Sequence, residues 1–278
     1  MLPGAFNALT AMQIEHAGFD AVYVSGAGIA AARGLPDIGL LSMAEVVADA
    51  GTIAQAVAIP ALADADTGYG PPLSVMRTVQ AFEQAGLAGI HLEDQESPKK
   101  CGHLSDKRLV SVAEMAQKIG AAVEARRDPD FLIVARTDAR AVEGLDGAVK
   151  RARAYVDAGA DAIFPEALES AEEFQAFAQA LKNEGVTVPL VANMTEFGKT
   201  PYLTVKEFEA LGYRLVLFPV TALRVAGKAI EAMLEELKSL GTQQRSLDKM
   251  QARQQLYELL RYAKYEKQDD DIEKRYGR

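Results

Sequence analysis

The chain has 278 residues, 49% of them hydrophobic and 25% charged, the ordinary balance of a globular protein. Its 30 basic and 39 acidic residues give a net charge of −9, which argues against nucleic acid or an anionic membrane surface as a partner. One cysteine cannot form an internal disulfide, Met1–Gln13 shows no signal-peptide pattern, and no apolar run reaches about 18 residues. These features predict a cytoplasmic protein.

Seven short apolar runs alternate with longer helical patterns along the chain. Because they are apolar throughout rather than alternating, they are typical of parallel strands covered by helices. Only Met1–Pro3 precede Gly4, so a first strand is expected to be very short or missing. The seven predicted strands are Ala21–Ser25, Pro60–Asp64, Gly89–Glu93, Phe131–Thr137, Ala162–Glu166, Pro189–Asn193 and Arg214–Pro219.

Helical spacing fills the gaps between these runs. Ser111 stands three residues before Glu114, which predicts a capping box at a helix start. The pair Ala-Gly recurs before strands at 17–18, 85–86 and 158–159, which predicts helix stops. This succession favours a (β/α)8 TIM-type barrel over residues 1–240. The predicted helices are Val75–Ala85, Ser111–Ala125, Asp146–Ala158 and Ala171–Leu181.

The chain continues past the last predicted strand with two more helical patterns, Ala222–Leu240 and Ser246–Tyr276. Residues 241–278 are therefore expected to form a helical extension for oligomerisation. Leu256 and Leu260 make the second pattern rather apolar for an exposed helix, which favours packing on a partner subunit. A solvated tail helix is the alternative.

Polar side chains stand at the carboxyl ends of the predicted strands, the face where barrel enzymes carry their active sites. One such residue means little, but a set at almost every strand end is hard to obtain from packing alone. These residues are Tyr23, Ser25, Asp64, Asp66, His91, Glu93, Arg136, Asp138, Glu166, Asn193 and Thr195.

Asp64 and Asp66 are two residues apart, so strand periodicity predicts that both carboxylates face the same side. Two close negative charges favour a cation between them, and oxygen ligands suit Mg²⁺ or Mn²⁺. Glu93 on the next strand could then act through water. Alternatively, the two aspartates cap a helix or hold the turn at Gly68–Gly70.

Two further strand-end residues have both a functional and a structural interpretation. His91 shares a strand face with Glu93 and could hydrogen-bond behind the metal or the substrate, although a single histidine is more often structural. Arg136 ends an apolar strand, and its guanidinium could bind a substrate carboxylate. A salt bridge from Arg136 to Glu166 or Asp138 is the alternative, and both interpretations can hold.

The loop after Glu93 is polar and carries the only cysteine, in the segment Lys99-Lys100-Cys101-Gly102-His103. Neighbouring positive charges tune a thiol as an acid or base, and Gly102 gives the backbone freedom. The segment therefore predicts a lid that closes over substrate. A solvent loop with an incidental cysteine is the alternative.

This lid segment resembles the signature of the isocitrate lyase and phosphoenolpyruvate mutase superfamily. The blocks Asp64–Gly68, His91–Gln95 and Ala135–Asp138 are similar to other blocks of that superfamily. Phe164–Ala167 and Asn193–Gly198 are most similar to its 2-methylisocitrate lyases. The resemblance covers nearly the whole chain.

The resemblance implies an Mg²⁺-dependent lyase that cleaves 2-methylisocitrate to pyruvate and succinate in propionate catabolism, the methylcitrate cycle. It also implies a homotetramer whose additional C-terminal helix is swapped between subunits. Asp64 and Asp66 would hold the metal directly, whereas Asp37 and Glu93 would act through water. Cys101 would be the acid that protonates the succinate carbanion.

Other roles follow from the same resemblance. Tyr23 would accept the proton of the substrate hydroxyl, with its pKa lowered by the nearby metal, and Arg136 would bridge both halves of the substrate. A methyl-accepting pocket is expected at Phe164, Leu217 and Pro219. The residues expected to bind the substrate are Ser25, Gly26, Ala27, Gly102, His103, Glu166, Asn193, Thr195 and Arg224.

Several other activities stay open at this point. An isocitrate lyase or a 2,3-dimethylmalate lyase would share the cysteine lid. A phosphoenolpyruvate mutase or an oxaloacetate decarboxylase would share the metal block, but these enzymes typically lack the Cys-Gly-His lid. A non-catalytic barrel is the remaining alternative.

Overall fold

The structure is a computed structural model that describes residues 1–102 and 106–277. Within these residues, eight parallel strands form one sheet in the order β6-β5-β4-β3-β2-β1-β8-β7. A parallel bridge between Ile163 of β6 and Leu190, next to β7, brings the two ends of the sheet together. The predicted (β/α)8 barrel is confirmed. The strands are β1 (Leu2–Ala5), β2 (Val22–Val24), β3 (Ala61–Asp64), β4 (Gly89–Glu93), β5 (Leu132–Thr137), β6 (Ala162–Pro165), β7 (Val191–Asn193) and β8 (Leu215–Phe218).

The first strand is present and short. Strand β1 pairs with β2 through Gly4 and Tyr23, and with β8 through Leu2 and Leu217. A Cβ atom on Gly4 would overlap the backbone carbonyl of Pro219. Glycine is therefore the residue that lets this strand approach β8 closely enough to pair.

Within Met1–Leu223 helices pack against the sheet, and the helices of the chain begin and end at recognisable residues. The Ser111 hydroxyl accepts a hydrogen bond from the backbone N–H of Glu114 at 3.1 Å, as expected of an N-cap. Gly18, Gly86 and Gly159 adopt φ angles of 85°, 93° and 102° at the three predicted helix stops. The helices are α1 (Ala8–His16), α2 (Gly26–Ala32), α3 (Met43–Gln55), α4 (Pro72–Gln84), α5 (Val112–Ala125), α6 (Arg140–Asp157), α7 (Ala171–Asn183), α8 (Val205–Ala210), α9 (Thr221–Leu240), α10 (Arg253–Leu259) and α11 (Tyr262–Tyr276).

Two apolar clusters fill the barrel unit. The larger one lies between the sheet and its helices and includes Phe82, Phe131 and Phe174. The smaller cluster contains side chains from several strands. Asp64, Arg136 and Glu166 each stand two residues after one of its members. Its buried members are Leu2, Tyr23, Leu62, Val134, Ala162, Phe164, Val191 and Leu217.

Residues Arg224–Arg278 form a second compact unit, separate from Met1–Leu223. The helical pattern predicted over Ser246–Tyr276 is present, but it is not one continuous helix. A 3₁₀ helix at Gln244–Lys249 is followed by α10 and then by α11. Met250 is extended and Arg261 is left-handed at φ 57°, conformations that an α-helix cannot contain. Among the described helices, none combines the length and the apolar character needed to cross a membrane.

Candidate active site

Two aspartates at the end of β3 form one side of the candidate site. Asp64 is the last strand residue, and its Oδ1 accepts a hydrogen bond from the backbone N–H of Asp66 at 2.9 Å. A Cβ atom on Gly26 would lie 2.7 Å from Asp64 Oδ2, so the start of α2 packs directly against this carboxylate. The Ser25 hydroxyl caps that helix by accepting from the N–H of Gly28 at 3.1 Å. Gly26 therefore lies directly beside Asp64, and the binding of a substrate carboxylate by Ser25, Gly26 and Ala27 stays a prediction.

A lysine from the loop after β4 reaches these carboxylates. The Nζ atom of Lys99 lies 2.9 Å from Asp66 Oδ1 and also pairs with Asp37 Oδ1. Burial raises the pKa of Asp66 to about 6, although the charge of Lys99 acts in the opposite direction. The sequence indicated Lys99 only as a positive charge near the cysteine, and its contact with the two aspartates was not predicted.

The donor set beside Lys99 fits Mg²⁺. No group of three or more His, Cys, Asp and Glu side chains surrounds a common point in residues 1–102 and 106–277. Mg²⁺ needs few protein ligands, because it keeps several waters and binds through one or two carboxylates. Buried Glu93 supplies a further oxygen, since its Oε1 has no hydrogen-bond donor among the described residues. Asp64, Asp66, Asp37 and Glu93 are thus residues that could hold the ion.

Tyr23 and His91 are buried next to Asp64. The Tyr23 hydroxyl and His91 Nε2 are 2.8 Å apart, and Nε2 lies 3.7 Å from Asp64 Oδ1. Burial lowers the pKa of His91 to about 4, so the ring is neutral at pH 7. Burial and the Asp64 charge raise the pKa of Tyr23 well above its usual value. The chain's own residues therefore shift Tyr23 in the direction opposite to the one expected from a metal.

Arg136 is the centre of a buried charged group. Its guanidinium lies 3.1 Å from Glu93, 3.0 Å from Asp138 and 3.4 Å from Glu166. Both salt bridges offered as alternatives in the sequence analysis are present. The guanidinium also lies 5.4 Å from the ring centroid of Phe164, at cation–π distance. Arg136 is thus held in place at the rim of the barrel.

The cysteine loop packs against Arg136. A Cβ atom on Gly102 would lie 2.5 Å from Arg136 Nη2 and would overlap the side chain of Glu166. Cys101 is half-buried directly before this contact. Lys107 continues the loop, and its Nζ lies 2.8 Å from Asp138 Oδ1. The predicted His103 lies outside the described residues.

The remaining predicted residues are distributed around this centre. The Asn193 side-chain amide donates to Glu166 at 3.2 Å, and Thr195 is buried two residues further on. Phe164 and Leu217 are each 1% exposed and lie in the smaller apolar cluster. Pro219 directly follows β8 and contacts Gly4. Arg224 belongs to the second unit, so its role stays a prediction.

One buried group escaped the sequence analysis. Asp94 accepts hydrogen bonds from Thr137 Oγ1 at 2.7 Å, from the Asp138 N–H at 2.9 Å and from the Tyr155 hydroxyl at 2.8 Å. Arg151 lies 3.4 Å from the same carboxylate. The signal was the Asp directly after Glu93, which a strand's alternation directs to the opposite face from Glu93.

Comparison with known proteins gives a consistent family. Residues 1–238 match the phosphoenolpyruvate phosphomutase family. A Corynebacterium glutamicum protein named "Probable 2-methylisocitrate lyase 1" is 54% identical, over 98% of this chain and 88% of the relative. The "2-methylisocitrate lyase" of Aeropyrum pernix is 50% identical, over 98% of this chain and 86% of the relative.

Solved structures agree with this grouping. A crystal structure of 2,3-dimethylmalate lyase matches with a TM-score of 0.90 and 37% identity, over 98% of this chain and 89% of that chain. A phosphonopyruvate hydrolase in complex with oxalate and Mg²⁺ matches with a TM-score of 0.86 and 32% identity, over 100% and 94%. A structural neighbour therefore holds Mg²⁺ together with a small dicarboxylate.

Proposed function

The chain belongs to the phosphoenolpyruvate phosphomutase family and groups with its 2-methylisocitrate lyases, and from this membership we propose that it cleaves 2-methylisocitrate to pyruvate and succinate. The observation that carries the proposal is the position of the cysteine loop. One side of that loop inserts Lys99 between Asp37 and Asp66, and its Gly102 packs against Arg136. Cys101 lies in the chain between these two contacts, which supports a role for its thiol as the acid.

The reaction breaks the C2–C3 bond of the substrate. The C2 hydroxyl gives up its proton, the C2–O bond becomes the carbonyl of pyruvate, and the electron pair of the broken bond moves onto the succinate fragment. In our proposal, the Tyr23 oxygen accepts the hydroxyl proton. His91 Nε2, 2.8 Å away, would orient the Tyr23 oxygen, and a bound Mg²⁺ would lower the pKa of Tyr23 and so favour the phenolate that accepts this proton.

Cys101 supplies the second proton. The succinate fragment leaves with two electrons at C3, in conjugation with a carboxylate, and it needs one proton at that carbon to become succinate. The Cys101 thiol donates it, and the resulting thiolate is stabilised by the cationic side chains of its own loop. Arg136 binds the carboxylates of both fragments as the bond breaks, because its guanidinium presents several fixed donors.

Binding of the remaining substrate groups follows the same arrangement. We assign the pyruvate carboxylate to the backbone amides of Ser25, Gly26 and Ala27. A second set of side chains would bind the succinate half: Gly102, His103, Glu166, Asn193, Thr195 and Arg224. Phe164, Leu217 and Pro219 are the proposed methyl pocket, and apolar burial of one methyl group is worth about 1–3 kcal/mol of discrimination.

The proposal includes a magnesium ion. Asp64 and Asp66 would hold it directly, and Asp37 and Glu93 through water; Mn²⁺ is the alternative ion. Mg²⁺ in this position supplies positive charge that stabilises the oxygen atoms of the forming pyruvate. The oxalate and Mg²⁺ bound by the phosphonopyruvate hydrolase support this assignment.

We extend the proposal to the biological setting that the resemblance implies. Propionate catabolism by the methylcitrate cycle would supply the substrate, in the cytoplasm. Helix α9 carries exposed apolar residues, among them Val225, Ile230 and Leu234. Burial of these side chains by a second copy of the chain would be favourable, which supports a tetramer with swapped C-terminal helices.

A coupled pyruvate assay tests the proposal. Purified protein with Mg²⁺ should release pyruvate from 2-methylisocitrate faster than from 2,3-dimethylmalate, and should release little glyoxylate from isocitrate. Cys101→Ser should reduce kcat by about 10²- to 10⁴-fold, the usual contribution of a positioned acid. Preferred turnover of another substrate would reassign the activity, and turnover of none would favour a non-catalytic barrel.

A further inference from the structure

Two side chains of the cysteine loop hydrogen-bond to the loop backbone on either side of Cys101. We propose that Gln95 and Lys107 are positioning residues that fix Cys101 for proton transfer. The proposal deepens the function proposed above and rests on the acid role of Cys101. Each residue contacts a backbone group next to the cysteine.

Gln95 holds the residue before the cysteine. Its side-chain Oε1 accepts a hydrogen bond from the backbone N–H of Lys100 at 2.9 Å, and its Nε2 donates to the Lys100 carbonyl at 2.9 Å. The amide group thus pairs with both backbone groups of one residue, as a neighbouring strand would. Gln95 is 1% exposed, so water competes little for these bonds.

Lys107 holds the residue after the cysteine. Its ammonium group donates a hydrogen bond to the carbonyl of Gly102 and pairs with Asp138 Oδ1 at 2.8 Å. Lys107 is only 6% exposed. A buried ammonium needs a counter-charge, and Asp138 provides it. The Gly102 carbonyl is therefore linked through Lys107 to Asp138, which directly follows β5.

Asp138 also holds Arg136, the arginine of the proposed reaction. Asp138 Oδ2 accepts from Arg136 Nε at 3.0 Å, and the backbone N–H of Asp138 donates to buried Asp94 at 2.9 Å. Lys107 and Arg136 therefore share one carboxylate. The position of the Cys101 turn is linked through Lys107 and Asp138 to the group that binds the substrate.

The base of the loop is closed independently of these two side chains. Glu96 donates its N–H to the Arg108 carbonyl at 2.8 Å, and Val110 donates to the Asp94 carbonyl at 2.9 Å. The two ends of the loop thus stay together if Gln95 or Lys107 loses its side-chain contacts. Substitution of either residue should release the Cys101 turn without unfolding the barrel.

The test uses the fact that the chain has one cysteine, so alkylation reports on Cys101 alone. Gln95→Leu and Lys107→Met are compared with Lys206→Met, a matched change at an exposed lysine on α8. Each variant is measured for kcat, KM, thermal unfolding and the rate of iodoacetamide labelling. Lys107→Arg, which keeps the charge, is the conservative variant.

We expect Gln95→Leu and Lys107→Met each to lower kcat by about 10- to 100-fold, the scale of an ångström misplacement, while KM changes much less. Labelling of Cys101 should become several-fold faster. Lys107→Arg should show smaller changes in both kcat and labelling rate than Lys107→Met. Lys206→Met should behave as the unchanged protein. A KM effect without a kcat effect, or labelling at the original rate, would overturn the proposal.

The proposed lyase activity and the positioning role of Gln95 and Lys107 can be rejected by different results. If the unchanged protein cleaves none of the tested substrates, the proposed function is wrong. The labelling rates still test whether Gln95 and Lys107 hold the backbone around Cys101. If Lys107→Met does not fold, Gln95→Leu decides alone, because the hydrogen bonds of the Gln95 side chain to described residues are those to the Lys100 backbone. Equal kcat and equal labelling in Gln95→Leu would then reject the positioning role.

Discussion

Glu93 and Asp94 are consecutive residues at the end of β4, yet they belong to two buried clusters of different character. The anchor cluster contains Asp94, Thr137, Arg151 and Tyr155. Asp94 receives three hydrogen bonds and one arginine contact within 3.4 Å. Every described polar group around Asp94 therefore has a partner, which is the usual condition of a buried group that stabilises a fold.

The reactive cluster contains Glu93, Arg136, Asp138 and Glu166. A single guanidinium faces three carboxylates, and buried Glu93 Oε1 has no hydrogen-bond donor among the described residues. Burial raises the pKa of Glu93 well above its usual value. An arrangement that leaves a buried oxygen without a donor is costly, and such groups are concentrated at functional sites. The two clusters thus separate residues that hold the barrel from residues arranged for a ligand.

The largest effect that we expect distinguishes the two neighbours by stability. Asp94→Ala removes the acceptor for Thr137 and Tyr155 and leaves Arg151 without one of its carboxylates. Breaking a buried ion pair by removing one partner should lower the free energy of unfolding by about 3–5 kcal/mol. Urea unfolding followed by circular dichroism measures it.

Glu93→Gln is the matched variant in the reactive cluster. Glutamine resembles the protonated form that burial favours, so the free energy of unfolding should change little. Activity should fall about 10- to 100-fold, the usual result of changing a group that orients metal or its waters. If Glu93→Gln destabilised the protein as much as Asp94→Ala, the distinction between the clusters would be lost.

The sequence predicted the barrel well because its signals are local. Apolar runs gave seven of the strands within about two residues at each end, and Ala-Gly pairs gave three helix stops. The short β1 depends on the contact of Gly4 with Pro219, 215 positions along the chain, which no local pattern contains. Likewise, nothing in the residue type of Arg261 indicates the left-handed conformation that ends α10.

The rim of the site was also predictable, since parallel strands bring their ends to one face. Asp64, Glu93, Arg136 and Glu166 lie there as expected. The contacts of Gln95, Lys99 and Lys107 were not predictable, because they depend on the path of a loop rather than on strand alternation. The pair Lys99-Lys100 before Cys101 indicated only positive charge near a thiol, and no pattern in the sequence pointed to Lys107.

A smaller effect should come from the contact between the loop and the reactive cluster. Gly102→Ala places a methyl group against Arg136 and Glu166, where the Cβ has no space. The loop must move by part of an ångström to accommodate it, which should reduce kcat by up to about 100-fold. Gly120→Ala on α5, where a Cβ meets no atom within 4 Å, is the control for the same substitution. Full activity of Gly102→Ala would show that the loop does not need this contact.

The last effect concerns the charge of His91 and is measured as a pH dependence of stability. Burial lowers the pKa of His91 to about 4, below its unfolded value of about 6.5. Between pH 6.5 and 4, His91 is therefore protonated in the unfolded chain and neutral in the folded one. The stability due to neutral His91 is fully present above pH 6.5 and is lost as the pH falls toward 4. Relative to His91→Gln, which shares all other titrating groups, the unchanged protein should lose up to about 1.4 kcal/mol per pH unit in that window. Urea unfolding of both proteins between pH 6.5 and 4 measures the difference, and parallel pH profiles would show that this side of the barrel tolerates a charged His91.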